Sequence, residues 1–94
     1  MRLFSFHGGK SNLVEMTLPH DSPAVGVRVD DLRFPGDAVP VAIIRDGVAR
    51  PPERDAAVEG GDELLFVVNP EFEAELAQYL SPGVRREPAP DEDD

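Results

Sequence analysis

The sequence predicts a small α+β domain whose chain runs strand, helix, strand, strand, strand, helix, with the helices on one or both faces of a sheet. Three observations carry this expectation. Residues 13–18 alternate strictly between apolar and other side chains, two serine- or asparagine-proline pairs stand ahead of helical apolar spacings, and Asp46-Gly47 separates two apolar runs.

Phe4 and Phe6 alternate in residues 1–12, and Gly8-Gly9 then breaks the pattern, so this stretch is expected to be a short extended linker and a flexible turn. In 13–18, Val14, Met16 and Leu18 share one face and Leu13, Glu15 and Thr17 the other, as in a half-buried strand, and Pro19 ends it. Ser22-Pro23 suits a helix start, because a serine oxygen accepts an orphan N–H and proline at the first helical position forfeits no useful donor. Val25, Val29 and Leu32 then recur at i, i+4 and i+7, predicting a short helix that Pro35-Gly36 terminates.

A second strand is expected over 38–45, where Val39, Val41, Ile43 and Ile44 dominate. Asp46-Gly47 is a two-residue hairpin turn, since both central positions need positive φ, and the return strand covers 48–50 before Pro51-Pro52. Gly60-Gly61-Asp62 turns into the near-continuous apolar run Leu64-Leu65-Phe66-Val67-Val68, which suits a central strand covered on both faces. Asn69-Pro70-Glu71 opens a last helix whose stripe is Phe72, Leu76 and Leu80. Residues 81–94 hold three prolines, two arginines and five carboxylates with one large aliphatic residue, so they are expected to form a disordered acidic tail.

At 94 residues with 40% hydrophobic content, the chain has room for one modest core. It has no cysteine, which excludes disulfides and thiolate metal sites. The net charge of −10 comes from 19 acidic and 9 basic side chains, and a single lysine accompanies eight arginines. Such a balance repels phosphate backbones, so no nucleic-acid partner is expected. No apolar run is long enough for a membrane span and no signal peptide opens the chain, so direct membrane insertion is not expected and a cytoplasmic location is.

Few motifs carry chemistry. His7-Gly8-Gly9-Lys10-Ser11 resembles a phosphate loop only in part: Phe4 stands where the pattern needs glycine, and a strand follows where a helix should. His7 and His20 have no metal-ligand spacing, the serines lack a nucleophile elbow, and no DxDxDG calcium loop occurs. Asp30-Asp31 and Asp62-Glu63 are adjacent and so point to different sides, which reads as solvated charge and not an acid/base pair. Nothing amounts to a catalytic constellation, and no enzyme is expected. Arg33 and Arg45 sit at the edges of apolar elements in a cation-poor chain. Each suits either a phosphate-bearing ligand or a local carboxylate.

Taken in order, LVEMTLP (13–19), SPAVGVRVDDLRFP (22–35), VAIIRDG (41–47) and EGGDELLFVV (59–68) resemble the RCK_C, or TrkA_C, domain, the C-terminal regulatory domain of Trk-type potassium-uptake regulators and related channel and antiporter subunits. The resemblance runs from Asn12 to Leu80, and residues 1–12 resemble the segment that joins such domains to a preceding nucleotide-binding domain. No GxGxxG dinucleotide fingerprint occurs in this sequence. The expectation is therefore an excised C-terminal portion or a stand-alone subunit, divided into linker (1–12), RCK_C-like domain (13–80) and tail (81–94).

The resemblance implies a βαβββα sandwich, two-fold homodimers, and a cytoplasmic ligand-sensing role beside a membrane channel, transporter or antiporter for potassium or another monovalent cation. Some members hold cyclic di-AMP at the dimer interface, through two aliphatic residues, two free positions, Asp, one free position, Arg, five free positions, then Asn and aliphatics. Asp31 and Arg33 stand at the Asp and Arg positions, Val39 replaces Asn, Arg28 replaces the second aliphatic residue, and Pro40 interrupts the last pair. The implied ligand and interface set is Asp31, Arg33, Val39, Val41, Ile43, Ile44 and Arg45, with no metal and no cofactor beyond a regulatory cyclic di-AMP. The alternative is a ligand-free structural dimerisation module of a Trk-type regulator, or a stand-alone subunit of a cation/proton antiporter.

Overall fold

The structure, a computed structural model, describes residues 1–82. Five antiparallel strands form one sheet: β1 (Arg2–Phe6), β2 (Ser11–Thr17), β3 (Val39–Arg45), β4 (Val48–Arg50) and β5 (Glu63–Val68), in the spatial order β1-β2-β5-β3-β4. A single α-helix, α1 (Glu73–Leu80), closes the described chain. The tail expected from residue 81 falls, from residue 83 on, outside the described residues.

The alternation in β2 sets its facing. Asn12, Val14 and Met16 oppose Val68, Phe66 and Leu64 of β5, and this side carries the core. Phe66, Leu18 and Leu76 have no exposed surface, and Leu80 of α1 is 2% exposed, so the stripe read from Leu76 and Leu80 packs as spaced. The Phe34 ring lies edge-on to Phe66 at 4.9 Å and to Tyr79 at 5.9 Å, carrying the loop before β3 into the same core. Asp46 (φ 53°) and Gly47 (φ 77°) form the tight turn between β3 and β4, as the dipeptide demands.

Three expectations are corrected. Residues 22–35 do not form a helix: Gly26 adopts φ +85°, and the chain runs extended beside residues 54–58. Gly26, Val29 and Asp30 donate to the carbonyls of Val58, Ala56 and Arg54, and Val58 donates to Val27. Only a short 3₁₀ turn, Val29–Asp31, is helical in this region before the one at Pro35–Asp37. Val25, Val27 and Val29 are β-branched and alternate, a period of two that competes with the period of 3.6 and wins once Gly26 breaks the helix. Ser22 still accepts an N–H, from Ala24 at 3.1 Å, but in a turn.

The segment expected to link is also part of the sheet, since Phe4, Ser5 and Phe6 pair with Leu13, Asn12 and Ser11. Finally, β5 is central, as its apolar run requires, but only Leu64, Phe66 and Val68 are buried, while Glu63, Leu65 and Val67 on the other side are half-exposed. No helix of the described chain covers that second side, where Phe4, Leu13, Val67 and Val39 form one row across four strands. Among the described residues no helix is long and apolar enough to cross a membrane.

Candidate ligand and interface site

The 3₁₀ turn Val29–Asp31 and the residues after it carry Asp31 and Arg33 on the surface. Asp31 accepts from Arg28 Nε at 3.3 Å. Arg33 folds back on its own turn: Nη1 donates to the carbonyls of Asp30 (2.8 Å) and Leu32 (3.2 Å). The Arg33 backbone N–H donates to the Tyr79 hydroxyl at 3.0 Å, which ties the turn to α1. Arg54 reaches the same turn from the opposite segment and pairs with Asp30 at 3.2 Å. Three arginines thus gather around residues 28–33 of an acidic protein. Their ion pairs are open to solvent, which makes each weak and easily exchanged for another anion.

Beside this turn lies a depression of about 230 Å³ lined by Pro23, Ala24, Val27, Asp31, Leu32 and Tyr79. It is mostly apolar with one carboxylate and one phenol at its wall, a composition suited to the flat face of an organic ligand.

The β3 residues of the implied set separate into three groups. Val39 and Val41 are 54% and 42% exposed. Ile43, expected to share their face, is 2% exposed and belongs to the core. The reason is a bulge: Pro40 opposes Phe66 and Ala42 opposes Leu65, so Val41 is an extra residue and every side chain after it changes side. Ile44 is half-buried on the helix-free side. The β4 strand pairs only with Ile43, Ile44 and Arg45, so the Val39–Ala42 half of β3 has no strand neighbour on that edge.

Arg45 is committed within the chain. Its Nε and Nη2 donate to the two carboxylate oxygens of Asp62 at 2.8 Å each, Nη2 also donates to the Ala57 carbonyl at 3.1 Å, and Nη1 pairs with Glu59 at 3.1 Å. Asp62 is 1% exposed and also accepts the Glu59 N–H at 2.8 Å. Burial alone would push this carboxyl up, but the Arg45 guanidinium and the Glu59 N–H outweigh it and hold the carboxyl below its ordinary range. Of the two outcomes left open for Arg45, the local carboxylate is the one found.

Three residues of this region escaped the sequence reading. Tyr79 lies one position before Leu80 on the packed stripe, and Arg54 and Asp62 lie in loops far from their partners in sequence, so only the fold joins them. Among the described residues no three metal-ligating side chains cluster.

The architecture is a one-sided α+β domain, a five-stranded antiparallel sheet with one C-terminal helix, whose exposed loop and open strand edge point to a module that works by association. The TrkA-C domain model matches residues 13–81, and the chain belongs to that family, the RCK_C domains. It is 46% identical over 84 residues to the Trk system potassium uptake protein TrkA of Mycobacterium tuberculosis (strain H37Rv), covering 89% of this chain and 38% of the relative. It is 29% identical over 86 residues to a TrkA homolog of Archaeoglobus fulgidus, covering 92% of this chain and 20% of that one. The chain therefore spans well under half the length of these curated relatives. Among solved structures, an RCK domain with cda superposes with a TM-score of 0.67 at 28% identity, over 73% of this chain and 97% of that one. The RCK_C domain dimer of S. agalactiae BusR in complex with c-di-AMP superposes with a TM-score of 0.65 at 25% identity, over 72% of this chain and 93% of the other.

Proposed function

We propose that this chain is the ligand-sensing regulatory domain of a potassium or other monovalent-cation uptake system, working as a homodimer at the cytoplasmic side of a membrane transporter, with cyclic di-AMP as the ligand at the dimer interface. It does no catalysis of its own. The observation that carries the reading is the turn at 28–33: Arg28, Arg33 and Arg54 concentrate positive charge beside a shallow apolar depression in a protein of net charge −10. Phosphates would meet guanidinium groups there, and a base would meet Val27, Leu32 and Tyr79. Two solved relatives of the same fold, one with cda and one a dimer with c-di-AMP, support the ligand class and the assembly. A ligand that bridges two copies shifts their arrangement only by the difference in its affinity for the two states, and a transporter gate can read that shift.

Calorimetric titration with cyclic di-AMP tests this. The parent chain should release heat with one ligand per dimer, and Arg33→Ala should abolish it. No heat for the parent at high micromolar ligand overturns the ligand assignment. The second reading, a dimerisation module that binds no ligand, is favoured by Val39, because valine offers no amide where the ligand-binding pattern has asparagine. In that case a thermal-shift screen of nucleotides leaves the melting temperature unchanged while the chain still dimerises.

A further inference from the structure

We infer that the helix-free face of the sheet, centred on the row Phe4–Leu13–Val67–Val39, is the surface on which a second copy of this chain packs. The inference rests on the homodimer named above and assigns it a surface and an axis.

The central strand supplies the first observation. Leu64-Leu65-Phe66-Val67-Val68 is an uninterrupted apolar run, the pattern of a strand covered on both faces, yet within one copy only Leu64, Phe66 and Val68 are buried. The bare side is continuous. Phe4 opposes Leu13, Leu13 opposes Val67, and Val67 opposes Val39, so four apolar side chains cross the sheet on one face. Phe4 is 59% exposed and Phe6 is 36% exposed, and their rings touch edge-on at 5.0 Å. At about 200 Å² for each phenylalanine, this pair alone leaves on the order of 200 Å² in water. With Val39, Leu13, Leu65 and Val67 added, the patch is of a size that marks an interaction surface.

Charge identifies the occupant. On the same face Glu15 and Glu63 lie together, close enough that Glu15 raises the Glu63 carboxyl above its ordinary range. At the other end of the face, past Ser11, lies Lys10, exposed and without an ion pair among the described residues. Along β2 these ends sit roughly 7 and 10 Å from Leu13 on opposite sides, from a rise of about 3.4 Å per residue. A face that is acidic at one end and basic at the other complements itself. Two copies stacked face to face about a two-fold axis lying along the row place Phe4 over Phe4, Leu13 over Leu13, and each Lys10 over the other copy's Glu15. The other in-plane axis, parallel to the strands, sets carboxylates over carboxylates and is disfavoured.

Sedimentation equilibrium of the full chain tests the assignment, with circular dichroism to confirm folding of each variant. The parent should dimerise. Phe4→Ser should weaken the dimer without unfolding the domain, because that side chain is on an exposed edge strand. Lys10→Glu should weaken it about tenfold at low salt, since two symmetric pairs become repulsive, and Lys10→Glu combined with Glu15→Lys should restore it. If the parent dimerises and the variants dimerise equally well, this surface is wrong and the dimeric sensor stands. A parent that remains monomeric with and without cyclic di-AMP overturns both.

Discussion

Asp62, almost wholly buried, and Arg45, three positions past the β3 bulge, are joined by two hydrogen bonds of 2.8 Å, a side-on pairing that uses both carboxylate oxygens. The same carboxylate receives the Glu59 N–H, so one side chain fixes the loop entering β5 and the end of β3. Removing one partner leaves the other charge buried and unmatched. Asp62→Ala should therefore cost about 3 kcal/mol in urea unfolding, and Arg45→Lys should recover only part of the clamp because lysine cannot pair side-on.

The same pair sets the response to acid. The Asp62 carboxyl is held below 3.8, so its contribution is complete above the unfolded value and vanishes as pH falls through the lowered folded value. Stability of the parent should drop steeply below pH 3.8, and the profile of Asp62→Asn should be flatter there.

Glu63 acts with the opposite sign. Hydrogen bonding to Glu15, and then the like charge of Glu15, hold the Glu63 carboxyl above 4.5 in the folded state. The unfolded chain releases this proton first, so the folded state loses stability as pH rises through that window and regains it on acidification. Glu63→Gln should raise the melting temperature at neutral pH and remove the slope just above pH 4.5. A melting temperature below the parent's would contradict the repulsion.

Gly36 has φ +64°, and a Cβ there would collide with the Phe72 ring. Gly26 has φ +85° with open space around its Cα. Gly26→Ala should cost about 1 kcal/mol, the penalty of a left-handed backbone alone, and Gly36→Ala clearly more. Equal losses in chemical denaturation would show that Phe72 yields freely.

Tyr79→Phe removes the acceptor of the Arg33 N–H and should cost about 1 kcal/mol, whereas Arg33→Ala, whose guanidinium is exposed, should stay within about 0.5 kcal/mol of the parent. That contrast separates the fold from the ligand: calorimetry with cyclic di-AMP should lose its signal in Arg33→Ala even though the domain melts normally.

The readable parts of the sequence were those in which a local pattern and the tertiary environment agree. Val14 through Leu18, the Asp46-Gly47 turn and the Leu76 and Leu80 stripe each needed only their neighbours to be understood. The failures have a common cause in pairing at long range. Residues 24–30 carry a helical spacing and a strand-like one at once, and the backbone bonds to residues 54–58 decide between them. The burial of Ile43 depends on one inserted residue opposite β5, a register detail that no spacing encodes. Asp31 and Arg33 were legible at the site through the family pattern, while Tyr79 and Arg54 come to the same turn from 46 and 24 residues away.

The extra residue at Val41 also separates what the two halves of β3 answer to. Downstream of it, Ile43 and Arg45 answer to the hydrophobic interior and to Asp62, and substitution there is paid in folding. Upstream, Val39 and Pro40 contribute little to the core, so their identities can drift with whatever meets them from outside. A strand divided in this way lets a lineage retune recognition at its leading half without renegotiating the stability of the domain, and an asparagine at one position in some relatives and a valine in this chain is the kind of difference such a division permits.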